Sequence, residues 1–336
     1  MSLSAGKLKH LEALSNKDGI IAAAAMDQRG SLRKAIASAR GVSQEEITPE
    51  MMQEFKTAVT RVLTSHASAI LLDPEYGLPA ASARARGAGL LLAYEESGYD
   101  NTKSGRLPDL LPHVSVKRLK EDMGADAVKI LIYYTPFEDP YINDVKHAFV
   151  ERIGAECETH EIPFFLEFVG YDPAGGDEKS LEYAKRKPDI VTRSMEEFSK
   201  PQYRVDVLKV EVPVNANYVE GSSVFKGAAA YTRKQALEYY RDAASVAQKP
   251  FIYLSAGVGN AEFIESLHMA AESGAQYSGV LCGRATWKDG MPIYASNGLA
   301  ALEKWLLSEG VKNIDAVNQA IRSATPWRNK VTAMAA

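Results

Sequence analysis

Cysteine is scarce: the 336 residues hold only Cys157 and Cys282, too far apart to form a CxxC. Neither a disulfide framework nor a zinc knuckle is expected, and a chain of this length can bury a core large enough to need no such staple. Long apolar runs are missing as well. None approaches the roughly 18 residues that a membrane-spanning helix requires, and the N-terminal MSLSAGKLKHLEALSNK contains no apolar leader or anchor segment. Nor is there a surplus of basic charge. The 39 Lys and Arg are outnumbered by 43 Asp and Glu, for a formal net charge of -4, which argues against a nucleic-acid partner. These absences imply a soluble cytoplasmic protein with no membrane role.

The six histidines (His10, His66, His113, His147, His160 and His268) form no HxH or HExxH and follow no apolar run. They read as surface or helix-packing residues, and a zinc-dependent enzyme would need a ligand cluster that is not there. A G-x-S-x-G elbow and a P-loop are also missing. No low-complexity stretch or Pro/Gly/Ser-rich linker divides the chain, so residues 1–336 read as one domain.

What the chain does have is rhythm. Short apolar runs recur at Ile20–Met26, Ala69–Leu72, Leu90–Tyr94, Ala127–Tyr133, Pro163–Val169, Val205–Val212, Phe251–Ser255 and Gly279–Cys282. Several are continuously hydrophobic, as strands buried on both faces of a parallel sheet must be. Helical patterns lie between most of them. Thr48-Pro49 supplies a cap and a first-turn proline, followed by Met52, Phe55, Val59, Val62 and Leu63 at helical spacing. Thr232 to Gln235 has capping-box spacing and opens a helix through about Val246. Phe263, Ile264, Leu267, Ala270 and Ala271 mark another apolar face; 116–123 and 144–158 also read as helices, while 78–86 does so only weakly. Lys7–Ser15 would be an N-terminal lid helix and Leu299–Ser308 the final helix, with no element assigned after Ser323.

Eight strand–helix units predict a closed (β/α)8 TIM barrel. The open doubly wound sheet is the competing fold, and the absence of GxGxxG after the first strand counts against it. In a TIM barrel the chemistry sits at the C-terminal strand ends, so polar residues within or just after the buried runs carry information. Five runs have them: Asp27-Gln28-Arg29-Gly30 after the first, Lys129 in the fourth, Glu167 in the fifth, Lys209 and Glu211 in the sixth, and Gly283-Arg284 after the eighth.

Buried unpaired charge costs several kcal/mol. One explanation is a purely structural network pairing Lys129 with Glu167 and Lys209 with Glu211. The other is chemistry. An amine is nucleophilic only when neutral, and a nearby cation in a partly desolvated pocket favours that form. Lys129 and Lys209 could so activate one another, with Glu167 on the strand between them reaching both. Charge alone leaves open which lysine is the nucleophile.

The loops after strands seven and eight are the usual phosphate site of this fold. Here they read Ser255-Ala256-Gly257-Val258 and Gly283-Arg284-Ala285. Small residues let backbone N–H groups approach an anion, and Arg284 adds a fork of donors. Arg29 is suited equally to a second phosphate or to a surface ion pair. Cys282 reads as a small core residue, and the aromatics Tyr133, Tyr134, Tyr239 and Tyr240 as packing.

The same residues carry a family resemblance. AMDQRG (25–30), LLDPEYGLPA (71–80), GLLLAYEESGYD (89–100), GADAVKILIYY (124–134), IPFFLEFVGYD (162–172), VDVLKVEVPVN (205–215), IYLSAGV (252–258) and GVLCGRATW (279–287) are collinear over nearly the whole chain. With them the sequence resembles the tagatose 1,6-bisphosphate aldolase family of class I aldolases. The resemblance implies that Lys209 forms a Schiff base with a phosphorylated ketose, and that no metal or other cofactor takes part. Glu167 would be the acid/base for the carbinolamine, Lys129 its electrostatic support, and Asp27 a contact to the substrate hydroxyls. Ser255, Gly257 and Arg284, with Gly283 beside it, would hold the C1 phosphate, and Gln28 and Arg29 the other end. The segments 174–179 and 221–227 match less clearly, which leaves open a fructose 1,6-bisphosphate or sulfofructose 1-phosphate substrate. A non-catalytic sugar-phosphate sensor is the alternative outside catalysis. Association into a homo-oligomer is neither required nor excluded.

Overall fold

The computed structural model describes residues 2–99 and 102–333. Asp100, the last residue of the 89–100 stretch, lies outside them. Eight parallel strands close into a barrel: β1 (Ile21–Ala25), β2 (Ala69–Leu72), β3 (Gly89–Ala93), β4 (Ala127–Tyr133), β5 (Phe164–Val169), β6 (Val207–Val210), β7 (Phe251–Leu254) and β8 (Gly279–Cys282). Each strand pairs with its neighbours in sequence, and β8 pairs with β1 through Gly279–Ile21 and Cys282–Ala24. All eight expected runs are strands: seven keep their bounds or are trimmed by up to two residues at an end, and β3 starts and ends one residue earlier than expected.

Side chains alternate between the two faces of each strand. One set packs against the surrounding helices, for example Ile70, Leu92, Ile130, Leu166 and Leu208. The other fills the lumen with Ile21, Ala23, Ala25, Leu71, Leu91, Ala93, Ala127, Phe165, Val207, Ile252 and Leu281. That inner register positions the charges. Two residues beyond the inward Ala25, Ala93, Ala127, Phe165 and Val207 come Asp27, Glu95, Lys129, Glu167 and Lys209. The lumen is therefore an apolar plug topped by an ionised layer.

The helices form where their caps are. Thr48 accepts a bond from the Met51 N–H and Pro49 opens Pro49–Leu63. Thr232 and Gln235 form a capping box that starts Arg233–Val246. Asp139 and Pro140 start the next such helix four residues before the expected 144, giving Pro140–Thr159. Residues 78–86 contain only the short Leu78–Ser82.

Two expectations are corrected. The N-terminal helix, Ala5–Leu14, is no lid over the open end: it closes the opposite one. Lys7 pairs with Asp206 at 2.7 Å and His10 with Asp126 at 2.9 Å, both carboxylates lying just before a strand begins. Leu11, Leu14 and Trp327 complete this apolar floor. Residues 299–308 are not the final helix either. They belong to Met291–Trp305 and a π-helical turn at Leu306–Gly310, and Val311–Ala320 follows. Beyond it, Thr332–Ala333 pairs in parallel with Ser2–Leu3, so the two ends of the chain tie together under the barrel.

Candidate active site

The C-terminal ends of the strands open into a cavity of about 1050 Å³. Its base is the ionised layer. β5 and β6 pair with Glu167 opposite Lys209, and the Lys209 ammonium reaches Glu167 Oε2 at 2.7 Å. Lys129 Nζ lies 2.9 Å from the same oxygen. It also donates to Asp27 Oδ2 at 2.8 Å and to Glu95 Oε1 at 2.7 Å. Lys129, Lys209 and Glu167 are 1%, 4% and 6% exposed, so these contacts are made largely out of water, where charge-assisted bonds are strong.

The electrostatics sort the carboxylates into two kinds. Burial disfavours the charge of Glu167, but Lys129 and Lys209 outweigh it and hold this carboxyl below the usual range. Burial opposes the charge of Asp27 too, and Lys129 and Lys209 again prevail, lowering it strongly. Glu95 goes the other way: burial raises it, and Lys129 and Arg29 do not fully offset that. Burial likewise works against the Lys129 ammonium, yet Asp27, Glu167 and Glu95 together push its pKa well above the ordinary lysine value. Lys129 is thus a fixed cation, and Glu167 an anion held between it and Lys209.

Of the two ion pairs proposed as a structural network, the geometry retains one. Glu211 turns from Lys209 to Lys187 at 3.1 Å and accepts from the Gly170 N–H at 2.8 Å. Arg29 makes an ion pair, but a buried one: it donates to Glu75 at 3.2 Å and to the Glu95 carbonyl at 2.8 Å. Gln28 bonds Asp27 at 3.3 Å. The backbone of this turn is held from outside the barrel. Lys56, fully buried on Pro49–Leu63, donates to the Met26 and Gln28 carbonyls at 2.7 and 2.8 Å and to Asp73 at 2.5 Å. Asp27 therefore leaves a backbone clamped on both sides.

The loops after β7 and β8 meet across the mouth. Ala256 and Gly257 have φ of 47° and 76°, which bends the chain so that Gly257 carries the Arg284 guanidinium against its backbone. A Cβ on Gly257 would lie 2.6 Å from Arg284 Cζ. Ser255, Gly257, Gly283, Arg284 and Lys288 all line the cavity, a set of backbone and cationic groups suited to phosphate.

Glu95, Lys187, Lys56 and Arg106 were not singled out from sequence. Glu95 had a readable signal, since it directly follows the run ending at Tyr94; Asp73 follows Leu72 in the same way. Lys56 and Lys187 lie on helices and Arg106 in an irregular segment, and no strand-end rule finds those. The described histidines contribute nothing to the cavity wall. His10 and His66 pair with Asp126 and Asp315, and His147 lies tilted against Tyr134 and hydrogen-bonds its hydroxyl. Cys282 is buried in the barrel, its thiol pushed by burial up to about 12. Among the described residues no group of three or more His, Cys, Asp or Glu is arranged to hold a metal ion. The three carboxylates that converge hold an ammonium instead.

Residues 21–289 match the model of the DeoC/LacD family of aldolases. The chain is 52% identical to tagatose 1,6-diphosphate aldolase 2 of Enterococcus faecalis, with 98% of each chain covered. It is 50% identical to a tagatose 1,6-diphosphate aldolase of Listeria monocytogenes (98% of this chain, 96% of the relative) and 49% identical to one of Staphylococcus epidermidis (98% and 100%). Among solved structures, a fructose-bisphosphate aldolase of Plasmodium falciparum superposes with a TM-score of 0.68 at 14% identity, covering 97% of both chains. A Schiff-base-forming fructose-1,6-bisphosphate aldolase gives 0.54 at 12%, over 88% of this chain and 96% of the other. At such identities the structural likeness speaks for the barrel alone.

Proposed function

The chain belongs to the DeoC/LacD family of aldolases, and from that premise we propose that it reversibly cleaves tagatose 1,6-bisphosphate to dihydroxyacetone phosphate and glyceraldehyde 3-phosphate, with Lys209 as the Schiff-base nucleophile. The observation that carries the residue assignment is the buried contact of Lys209 Nζ with Glu167 Oε2 at 2.7 Å, at the open end of the barrel. The relatives' names support the substrate.

The geometry suits a covalent cycle. Glu167 takes a proton from the Lys209 ammonium, and the neutral amine adds to the C2 carbonyl. Glu167 returns the proton so that the C2 oxygen leaves as water, giving a protonated imine. Removal of the C4 hydroxyl proton by Glu167 or Asp27 sends the C3–C4 bonding electrons into the imine, which becomes an enamine as glyceraldehyde 3-phosphate departs. Protonation at C3 and hydrolysis release dihydroxyacetone phosphate and restore Lys209. One hard step becomes several easier ones. Lys129 stays charged throughout, and the Ser255, Gly257, Gly283 and Arg284 loops hold the C1 phosphate.

This reading takes residues 1–336 as one barrel unit working in the cytoplasm on a free phosphorylated sugar. No helix among the described residues is long and apolar enough to cross a membrane, and one chain supplies every group used above, whatever the subunit number. The test is borohydride trapping with tagatose, fructose and sulfofructose phosphates, followed by peptide mass analysis. A substrate-dependent adduct on the Lys209 peptide, lost in Lys209→Ala, is expected. An adduct on Lys129, or turnover without any adduct, refutes the assignment.

A further inference from the structure

A ketose bisphosphate has two phosphates, and the loops after β7 and β8 account for one. Gln28 and Arg29 were the sequence candidates for the other, but the Arg29 guanidinium is already committed to Glu75 and the Glu95 carbonyl. Across the mouth, the segment after β3 carries Arg106. In a closed ring of eight strands β3 stands opposite β7, with β6 and its Lys209 beside β7 and Lys129 on β4 beside β3. A substrate anchored at β7 and β8 and bonded to Lys209 extends toward the Arg106 side.

Arg106 is built to wait there. Its guanidinium stands 5.3 Å from the ring centre of Tyr99, 5.2 Å from that of Tyr133 and 4.8 Å from that of Tyr171. The aromatic faces fix its plane and stabilise its charge. Tyr171 is itself held from behind, where the Lys146 ammonium donates to its hydroxyl at 3.0 Å. Arg106 lines the cavity, and among the described residues it makes one hydrogen bond, to Glu178 Oε1 at 2.8 Å. A guanidinium has five N–H donors, so several remain to meet an anion. The Tyr133 hydroxyl is within electrostatic reach of Arg106, Glu167 and Arg284 together, which puts both arginines around the same reaction space.

We propose that Arg106 binds the phosphate at the aldehyde end of the substrate, the one that leaves on glyceraldehyde 3-phosphate. The assignment rests on the aldolase reading above and deepens it. Arg106 then sets a preference for phosphorylated over neutral aldehydes and leaves the Schiff-base chemistry to others. Glu178 competes with the phosphate for the same guanidinium.

The experiment runs the reaction in the condensing direction, with dihydroxyacetone phosphate as donor and either glyceraldehyde 3-phosphate or unphosphorylated glyceraldehyde as acceptor. Loss of a charge-assisted bond should lower kcat/KM of Arg106→Gln for glyceraldehyde 3-phosphate about ten- to hundredfold. The value for glyceraldehyde and the KM for dihydroxyacetone phosphate should move by less than about threefold, and Arg106→Lys should recover part of the loss. Equal losses with both aldehydes would mean that Arg106 merely supports its loop, and no loss with either would remove it from the site; both outcomes overturn the proposal. Should Arg106→Gln fail to fold, Glu178→Gln decides: a lower KM for glyceraldehyde 3-phosphate supports the proposal, and a higher or unchanged one refutes it. If the unmodified enzyme condenses neither aldehyde, the aldolase reading falls. If it condenses both and Arg106→Gln keeps the preference, only Arg106 is wrong.

Discussion

Replacing Lys129 with methionine tests the ionised layer directly, because the side chain keeps its length and loses only its charge and donors. The ammonium it removes holds Asp27, Glu95 and Glu167 at 2.7 to 2.9 Å. Removing one partner of a buried pair typically destabilises by about 3–5 kcal/mol. Three carboxylates share this partner, so the upper part of that range is expected at pH 8. The loss should depend on pH with a definite sign. In the unmodified protein Asp27 and Glu167 are held below their ordinary values; their stabilising contribution is present above the unfolded carboxylate range, near pH 4, and is lost as pH falls through their folded values. Without Lys129, burial should raise these groups, as it already raises Glu95. They then bind protons more tightly folded than unfolded, so their penalty is greatest at high pH and is relieved as pH falls. Urea unfolding at pH 8 and pH 5 measures this: the stability gap between the two proteins should be wide at pH 8 and narrower by about 1–2 kcal/mol at pH 5. In parallel, turnover should fall by about two orders of magnitude or more while borohydride still traps ketose phosphate on Lys209. A gap that is equal at both pH values, or a variant as stable as the parent, would refute the account of Lys129 as the cation neutralising this layer.

Three further outcomes follow from the geometry. Glu167→Gln keeps the shape but loses the proton acceptor, so kcat should drop about 10²- to 10⁴-fold with ketose phosphate binding retained by isothermal titration; near-normal kcat would move the acid/base role elsewhere. Gly257→Ala puts a Cβ 2.6 Å from the Arg284 guanidinium at a φ of 76°, so KM for phosphorylated ketoses should rise about tenfold or more as Arg284 is displaced, and an unchanged KM would separate Arg284 from the anion site. Lys56→Met removes the clamp on the Met26 and Gln28 carbonyls and leaves Asp73 buried without its cation; about 3–5 kcal/mol of stability should be lost, with kcat lowered more than the KM for the C1 phosphate, and an enzyme that stayed as stable would show that the clamp does not matter.

The barrel was legible because period two and continuous apolar runs are local signals, and a parallel sheet covered on both faces leaves little choice about where they go. The same period made Lys129, Glu167 and Lys209 visible: each stands where an inward apolar residue would otherwise continue the lumen. What stayed hidden depends on contacts between distant segments. Glu211 is as close to Lys209 in sequence as inward spacing allows, yet its oxygens go to Lys187 and Gly170, and Lys187 comes from the Leu181–Phe198 helix. The N-terminal helix carried no mark of which end of the barrel it would close. Only the pairing of Lys7 with Asp206 and His10 with Asp126 places it at the floor.

The arrangement of two ammonium groups on one carboxylate oxygen has a reason in the charge of the proposed intermediates. The Lys209 ammonium and the protonated imine that replaces it are both singly positive, so forming the Schiff base leaves the layer's net charge unchanged and Glu167 keeps a cation beside it. Breaking the C3–C4 bond is different. The imine's charge is neutralised as the enamine forms, and at that moment Asp27 and Glu167 lose the positive partner on Lys209. A buried carboxylate without a cation would rise in pKa and take a proton at the wrong place. Lys129, held charged by three carboxylates from the start, is the one cation of the layer that the reaction does not consume. Its contact with Glu167 Oε2 at 2.9 Å keeps a cation beside that carboxyl through the enamine stage, whichever of Glu167 and Asp27 has taken the C4 hydroxyl proton. For this reason loss of Lys129 should spare imine trapping and strike the carbon–carbon step.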